Sequence, residues 1–464
     1  MTTNNPNRRK GVAAALGAAV VAATAGTAFT FLVAGAGAYQ GSGEAKAAID
    51  ATHLPPLLTL AGEPVELRYD IYCIPAGEDS NASPCDAGGT VFVRPGTRGT
   101  FRELPLHVDE TADEGRYVAV VPREMASATE GFTYYAVLES QVAGMTMMLP
   151  TGGGSAPQRS VPLSEPVEIA LGAHVFGATR TADARILETG WGDGSTEVGL
   201  ENGRNLPPIG ASSFDVDGRR TVHLLDQVHR RVFRWSADRS GPVAVPVAID
   251  GTIADLAVAP DGTMHVLESA RAGRGPVLRS FGAAGERRGM VEIAERTASQ
   301  VRVGPRGPIV LQQPSGQWMP VALEGKVVSE STQKAGGRPG RALPGGGEVV
   351  VLRRDSEIRA LVSRANGERR SWRVTSATPV AEVQLAEPLG PHLVLVIRMY
   401  SDRNDEFVAL VLGQDGLVRM VSMSSADWGE TAPLSRFRLV GSSLYQLGST
   451  SAGVFVDRYE LEVR

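Results

Sequence analysis

Alternating apolar and polar residues predict β-strands in the first half of the chain. In the run Val65–Cys73 every second residue is apolar, and the same period of two returns in Tyr117–Val121 and Phe132–Leu138. Successive side chains of a strand point to opposite faces, so this pattern is typical of a sheet with one buried face. Turn clusters rich in Gly, Pro and Asp separate seven or eight such runs, which predicts a β-sandwich over 57–172.

Six similar segments follow from residue 180 onward, each with a strand–turn–strand–loop–strand pattern. Their second strands align at residues spaced 40 to 51 positions apart: His223, His265, Val310, Val350, Val394 and Tyr445. Such a period predicts a propeller, here a six-bladed one over 175–464. The last segment has only three strands, so we expect Ile186–Leu200, which precedes the first segment, to add the fourth and close the ring. The fold class predicted for the folded domains is therefore all-β.

The first two segments resemble NHL-repeat propellers, with a good match over 190–281 and a weak one after 296. The resemblance is carried by a Trp-Gly-rich opening, an Asp-Gly turn and two characteristic strands: Gly190–Gly194, Phe214–Gly218, Val222–Asp226 and Arg230–Phe233. It implies a propeller fold first. Members of that family include protein-binding scaffolds and some metal-holding lyases, and similar propellers include lactone-hydrolysing enzymes with calcium or zinc in the central channel. Fold alone does not choose among these activities.

The region 57–172 resembles an immunoglobulin or fibronectin-like module in a generic sense. It lacks the Cys…Trp…Cys signature of true immunoglobulin domains. A module of this kind beside a membrane anchor is expected to act as a spacer or as a contact surface.

The N-terminus has the layout of a secretory signal. Arg8, Arg9 and Lys10 precede the uncharged run Gly11–Ala38, which is also just long enough to span a bilayer. Residues 1–38 are therefore expected to be a cleaved signal peptide or a retained anchor helix, followed by a linker at 39–56. Both alternatives place the rest of the chain outside the cytoplasm, because basic residues stay inside.

Cysteine content and charge narrow the setting further. The chain has 464 residues and a net charge of -5, without the basic stripe of nucleic-acid-binding proteins, so nucleic acid is not an expected partner. Its two cysteines, Cys73 and Cys85, are expected to form a disulfide if the chain is exported, and would be free thiols in a cytosolic protein.

The loops between the second and third strands of each repeat lie on the usual ligand face of a propeller. They supply the candidate ligand-binding residues Asp226, His229, Glu268, Arg271, Arg353, Asp355, Asp402, Arg403 and Asp405. The longest loop, 401–406, has three carboxylates that could bind calcium, although it lacks the frame of an EF-hand and a solvated loop is the favoured interpretation.

The histidines admit catalytic and structural interpretations. His223 and His265 occupy the same repeat position and could converge on zinc, but three other repeats have Val there, which favours packing. Asp226 with His229 is a possible acid–base pair or a loop hydrogen bond. No nucleophile-elbow, phosphate-loop or HExxH motif occurs.

The sequence is therefore consistent with two functions. The first is an exported or membrane-anchored protein that presents the propeller face to a protein or cell-envelope polymer, with no cofactor. The alternative is a metal-dependent hydrolase or lyase acting in the propeller channel, with calcium or zinc.

Overall fold

The computed structural model describes most of the chain after residue 47. The ranges are 48–74, 83–84, 86–112, 114–140, 145–201, 208–236, 241–251, 253–269, 274–293, 298–312, 316–329, 333, 337–425 and 434–462. The predicted signal or anchor at 1–38 lies outside these ranges. Within them, no helix combines the length and the apolar character needed to cross a bilayer.

The first domain is built from short, mostly antiparallel strands, one helical turn, α1 (Arg123–Ala126), and a 3₁₀ turn at Gly153–Ser155. Its strands are β1 (Ala48–Thr52), β2 (Leu58–Leu60), β3 (Val65–Ile74), β4 (Ser83–Pro84), β5 (Ala87–Pro95), β6 (Arg102–Pro105), β7 (His107–Val108), β8 (Arg116–Val121), β9 (Phe132–Ser140), β10 (Met145–Leu149) and β11 (Gln158–Leu163).

These strands form two sheets that pack face to face. One sheet has the order β1-β3-β8-β7 with β4 beside β3, and the other has the order β2-β11-β9-β5-β6 with β10 beside β9. Leu67 and Tyr69 from the first sheet share a buried cluster with Phe132 and Leu138 from the second. The alternation in the sequence therefore does mark the faces that form the core of a sandwich.

The second half of the described chain consists of further sheets whose strands are mostly antiparallel. Its strands are β12 (Val167–Ala170), β13 (Ala184–Gly190), β14 (Ser213–Val216), β15 (Val222–Asp226), β16 (Arg231–Trp235), β17 (Val243–Pro246), β18 (Ala254–Val258), β19 (Met264–Glu268), β20 (Val277–Phe281), β21 (Arg287–Glu292), β22 (Ala298–Gly304), β23 (Gly307–Gln312), β24 (Gln317–Pro320), β25 (Ala322–Leu323), β26 (Lys326–Val327), β27 (Arg341–Ala342), β28 (Gly347–Arg354), β29 (Glu357–Arg364), β30 (Arg369–Thr375), β31 (Val380–Leu389), β32 (His392–Tyr400), β33 (Asp405–Gly413), β34 (Gly416–Ser424), β35 (Phe437–Val440), β36 (Ser443–Thr450) and β37 (Gly453–Glu460).

Six of these sheets follow one another in sequence and are named ring sheets 1 to 6. They are β14–β17, β18–β21, β22–β24, β27–β30, β31–β34 and β35–β37, with the small hairpin β25–β26 after the third. The first strands of sheets 1, 2 and 3 contact one another in turn, as do those of sheets 5, 6 and 1, and β24 contacts β27 between sheets 3 and 4. Buried apolar clusters fill the spaces between neighbouring sheets. The arrangement is propeller-like.

The strand predicted to close the ring is observed as β13. It pairs antiparallel with β37, the last strand of the chain, and so completes ring sheet 6 with a strand from the opposite end of the repeats. The expected segment was Ile186–Leu200, and the observed strand begins two residues earlier and ends at Gly190.

Two predicted boundaries differ from the structure. β1 lies within the predicted linker 39–56 but pairs with β3, so it belongs to the first domain. β12 lies within the predicted sandwich but pairs in parallel with β30 as the fifth strand of ring sheet 4. Each segment is too short for its pattern of apolar and polar residues to predict the strand with which it pairs.

The two domains also share a buried apolar interface. Leu58 and Val161 of the first domain form one cluster with Val350 and Leu361 of ring sheet 4. At its edge Arg359 of β29 lies 2.9 Å from a carboxylate oxygen of Glu63. Apolar burial of this kind stabilises a fixed arrangement. The sandwich is therefore joined to the ring by packed apolar side chains.

Ser83 and Pro84, the two residues before Cys85, pair with Cys73 and Tyr72 at the end of β3. Cys85 itself lies outside the described residues, and the disulfide stays a prediction.

Candidate functional site

The centre of the ring contains a buried acidic residue that joins four sheets. Asp255 of β18 is fully buried and accepts hydrogen bonds from the hydroxyls of Ser213 and Ser435, each at 2.6 Å. It also accepts from the amide of Val301 at 2.8 Å and from the guanidinium of Arg302 at 3.0 Å. Ser213 belongs to ring sheet 1, Val301 and Arg302 belong to ring sheet 3, and Ser435 lies two residues before ring sheet 6. Asp255 thus holds first strands together that are far apart in sequence.

Two further ion pairs continue this network. Arg438 Nε lies 2.8 Å from Asp215 Oδ1, and Arg341 lies 2.7 Å from Glu387. We call these six residues the hub: Asp215, Asp255, Arg302, Arg341, Glu387 and Arg438. Burial, with the charge of nearby Arg438, lowers the pKa of Arg302 to about 10. Three carboxylates face three guanidiniums, so the hub charges are mutually neutralised.

Sequence reasoning missed the hub. The signal was a charged residue beside the buried apolar residue on the first strand of successive repeats, as in Phe214–Asp215, Val301–Arg302 and Phe437–Arg438. On a strand that faces outward, this pattern would indicate that the charged side chain is exposed to solvent. In a closed ring the first strands surround the axis, and the same charges meet one another.

The structure brings Asp226 and His229 together, as the sequence suggested. Their Oδ2 and Nδ1 atoms are 2.8 Å apart, but Asp226 is fully buried and also accepts from Arg231 Nε at 2.8 Å and from the Gly199 amide at 3.1 Å. Although burial acts in the opposite direction, hydrogen bonds to Asp193 and Asp226 raise the pKa of His229. This geometry fits the loop hydrogen-bond interpretation, because Asp226 fastens the preceding loop.

Glu268 has the same role in ring sheet 2. It is buried, and its carboxylate accepts from the amides of Asp250 at 2.7 Å and Gly251 at 2.6 Å and contacts the guanidinium of Arg279. Two of the predicted ligand-face residues are therefore anchors for connections between sheets. Arg271 lies outside the described residues.

The remaining candidates lie on ring sheets 4 and 5. Arg353 donates to the carbonyl of Val380 at 3.0 Å and so bridges the two sheets. Asp355 is exposed in a turn, and Asp402 and Arg403 are exposed in the loop before β33. Asp405 contacts the guanidinium of Arg398 and the hydroxyl of Ser425.

The carboxylates of the 401–406 loop do not converge. Asp402 is exposed and Asp405 contacts Arg398, whereas Glu406 is buried. One Glu406 oxygen lies 2.8 Å from His174 Nε2, and the other accepts from the Gly177 amide. No group of three or more His, Cys, Asp or Glu residues suited to a metal ion occurs in the described part of the chain.

His223 and His265 each form a side-chain contact within their own sheet. His223 Nε2 lies 3.2 Å from Asp217, and His265 Nδ1 lies 2.8 Å from the hydroxyl of Ser280. Burial lowers the pKa of both side chains, that of His265 to about 4. Their geometry fits the packing interpretation.

A second charged group lies at the loop end of the hub. Glu382 and Arg398 are cross-strand neighbours on β31 and β32, and Arg398 contacts Asp405 on β33. Arg436, two residues before Arg438 of the hub, places its guanidinium 5.0 Å from the centre of the Phe407 ring. With Arg353 these residues form what we call the mouth cluster: Arg353, Glu382, Arg398, Asp405 and Arg436.

The mouth cluster is partly open to solvent. The Arg398 side chain is 45% exposed, whereas Arg436 is 8% exposed. Burial lowers the pKa of Arg436 to about 10, with the charge of Arg398 adding to the effect. Glu382 is exposed on β31, yet desolvation of its carboxyl group by the surrounding protein raises its pKa despite nearby Arg398 and Arg436. Of its members, only Arg353 and Asp405 were predicted, because Glu382, Arg398 and Arg436 lie outside the segments that the sequence assigned to the loops between second and third strands.

Comparison with known proteins gives limited information. No family model matches the chain, and no curated protein matches it. Similar solved structures include virginiamycin B lyase from Staphylococcus aureus, at 9% identity and a TM-score of 0.34, covering 54% of this chain and 95% of that one. A streptogramin B lyase structure shows 9% identity and a TM-score of 0.32, covering 79% and 97%. YCF48 bound to D1 peptide shows 11% identity and a TM-score of 0.28, covering 54% and 92%. Similarity at this level leaves the fold to be judged from the strand pairing of the chain itself.

Proposed function

We propose that this chain is an exported or membrane-anchored binding protein whose six-bladed, NHL-like propeller presents its loop face to a protein or cell-envelope polymer. The observation that carries the proposal is the contrast at the ring centre. The hub charges have partners in neighbouring sheets, whereas the mouth cluster and the loop 401–404 keep charges in contact with solvent. Such a surface is suited to recognition, because polar groups that remain accessible can pair with a partner.

The first domain is proposed to be an immunoglobulin-like sandwich. Its strand order β1-β3-β8-β7 corresponds to the A-B-E-D order of that fold, and β11-β9-β5-β6 corresponds to G-F-C-C′. The short strand β2 runs parallel to β11 at the edge of the second sheet. Because this domain shares an apolar cluster with ring sheet 4, it would hold the propeller at a fixed angle.

Export is supported by the N-terminal pattern alone. Arg8, Arg9 and Lys10 before the uncharged run Gly11–Ala38 fit a signal peptide or an anchor. A disulfide between Cys73 and Cys85 would agree with that setting. Comparing the N-terminus and the membrane association of the mature chain would decide between cleavage and anchoring.

The binding experiment should use the whole chain. A fragment starting at residue 175 would lack β12 and would uncover Val350 and Leu361, which the first domain covers. We expect saturable binding to immobilised cell-envelope protein or polymer from the source organism. Reversing the exposed loop charges with Asp402→Lys and Arg403→Glu is expected to abolish it.

A matched control reverses charges at the opposite end of the ring. Arg369→Glu with Asp415→Lys changes two exposed residues at the turns between third and fourth strands, on ring sheets 4 and 5. Loss of binding in the loop variant with retention in the control would support the proposed face. Equal binding by both variants would contradict it.

A further inference from the structure

We infer that His53 makes the connection between the sandwich and the ring sensitive to acid. Protonation of its ring opens the segment 53–58, which we call the joint, and loosens the contact between the two domains. His53 lies between β1 and β2, away from the proposed ligand face. The inference therefore goes beyond the proposed binding function and does not depend on it.

Both ring nitrogens of His53 are engaged inside the sandwich. Nδ1 lies 2.7 Å from the carbonyl oxygen of Arg68, which can only accept, so Nδ1 carries the proton and donates it. Nε2 lies 2.7 Å from the hydroxyl of Tyr134 and accepts its hydrogen bond. The packed arrangement thus requires a neutral ring. A second proton, on Nε2, would point at that hydroxyl and remove the hydrogen bond that it donates.

Two neutral aromatic side chains face His53. Its ring is stacked on Tyr69 with ring centres 4.3 Å apart, and it meets Tyr134 edge-on at 5.6 Å. Burial raises the pKa of both tyrosines, so neither of them supplies a phenolate that could balance an imidazolium.

Charged residues of the neighbouring strands belong to other faces. On β3, Arg68 and Asp70 alternate with residues of the buried face, as Arg159 does on β11. Burial lowers the pKa of His53 to about 4, although the hydrogen bond to the Arg68 backbone acts in the opposite direction. A proton that reaches the ring in acid places a charge in an apolar core, which is costly.

The joint is short and stiff. Leu54 is 83% exposed, and Pro55 and Pro56 follow it. Proline fixes its own φ angle and restricts the residue before it, so this stretch has few alternative conformations. A displacement of His53 is therefore transmitted along the joint rather than absorbed within it.

The far end of the joint forms the domain contact. Leu57 and Leu58 are buried in the apolar cluster that the sandwich shares with ring sheet 4. The Arg359 guanidinium donates to the Leu58 carbonyl at 3.4 Å, and the Val161 amide donates to the Leu57 carbonyl at 2.9 Å. Movement of this end therefore uncovers apolar surface on both domains.

The pH window follows from the two states of His53. Its pKa is about 4 in the closed joint, against 6.5 for an exposed histidine. The open joint therefore binds the proton at a higher pH than the closed joint does. Closure is fully favoured above pH 6.5 and becomes about tenfold less favoured for each pH unit between 6.5 and 4.

The test is hydrogen–deuterium exchange of the full chain at pH 7, 6 and 5, corrected for the intrinsic pH dependence of amide exchange. We expect protection of residues 57–61 to fall about tenfold per pH unit below 6.5. Residues 408–412, buried within ring sheet 5, should keep their protection and serve as the internal control. The radius of gyration, measured by small-angle X-ray scattering, should rise over the same pH range.

Four variants are compared with the wild type. His53→Gln removes the titrating group, and its protection at 57–61 should not change with pH. His107→Gln, at an exposed position of the same domain, and His265→Gln, in the ring, should both show the wild-type fall. Tyr134→Phe removes the hydrogen bond to neutral His53, so protection should already be about fivefold lower at pH 7 and fall less in acid. This variant keeps the test valid if His53→Gln does not fold.

Three outcomes would overturn the inference. Protection of 57–61 could stay constant between pH 7 and 5, or it could fall equally in His53→Gln and the wild type. Protection of 408–412 could fall together with that of 57–61, which would mean unfolding of the whole chain. A fall at 57–61 without a larger radius of gyration would show that the joint opens while the domains stay in contact, and would refute the loosening of the domain contact.

Discussion

The hub and the mouth cluster use the same residue types with opposite results. In the hub, Asp255 is fully buried and hydrogen-bonded to Arg302, two serines and an amide. In the mouth cluster, Arg398 is nearly half exposed and Glu382 keeps solvent contact. Arg438 and Arg436 are only two residues apart, yet belong to different groups. The comparison shows that exposure to solvent, rather than residue type, distinguishes a charge buried in the ring from one that is accessible to a partner.

The largest expected effect tests the structural side of this comparison. Asp255→Asn removes the counter-charge of buried Arg302 and should destabilise the fold by about 3–5 kcal/mol, because an unpaired buried charge is costly. Chemical denaturation of the purified chain measures the loss. Asp415→Asn, at an exposed turn, is the matched control and should change stability by less than about 0.5 kcal/mol. A loss as small as the control's would show that the hub is not a structural centre.

The next largest effect is the loss of stability in acid that protonation of buried His265 causes. Burial lowers the pKa of His265 to about 4, against 6.5 unfolded. The unfolded chain therefore binds this proton at a higher pH than the folded chain does. The contribution of neutral His265 to the free energy of unfolding is fully present above pH 6.5. It falls by about 3 kcal/mol as the pH drops to 4. His265→Gln should flatten the stability curve in this window, and an unchanged slope would contradict the assignment.

The smallest expected effect is the stability change from Arg398→Gln. Its contact with Asp405 is partly exposed, and such pairs contribute at most about 1 kcal/mol. Denaturation curves of this variant beside Asp255→Asn compare the two regions directly. A loss at Arg398 equal to that at Asp255 would remove the distinction between hub and mouth.

Metal content distinguishes the alternative function. Mass spectrometry of the full chain purified without chelator would detect calcium or zinc at about one ion per chain if a hydrolase or lyase site were present. We expect no stoichiometric metal, since the hub carboxylates already face arginines. One tightly bound ion per chain would favour the enzymatic alternative and direct attention to lactone and ester substrates.

Local patterns predicted much of the secondary structure. The alternation Val65–Cys73 predicts the strand β3, and the repeat positions of His223 and His265 fall in β15 and β19. Whether a segment forms a strand depends on residues that are neighbours in the sequence, and their pattern can be read directly. The pairing of β12 with β30 could not be predicted, because its register depends on an edge two hundred residues away.

The candidate-site residues show the same distinction between what the local pattern predicts and what long-range packing determines. Sequence reasoning named Asp226, Glu268 and Asp405 as ligand-face candidates, but only the structure showed that the first two are buried anchors. The burial of Glu406 by His174 likewise depends on a connection that crosses ring sheet 5.

Periodicity and spacing along the chain were enough to predict the all-β character, the repeats and the strand that closes the ring. Which charges are neutralised depends on the folded ring. A carboxylate and a guanidinium distant in sequence reveal nothing about each other until closure of the ring places them within 3 Å, as with Asp255 and Arg302. Burial and pairing are properties of the assembled ring, and they set the role of each charge.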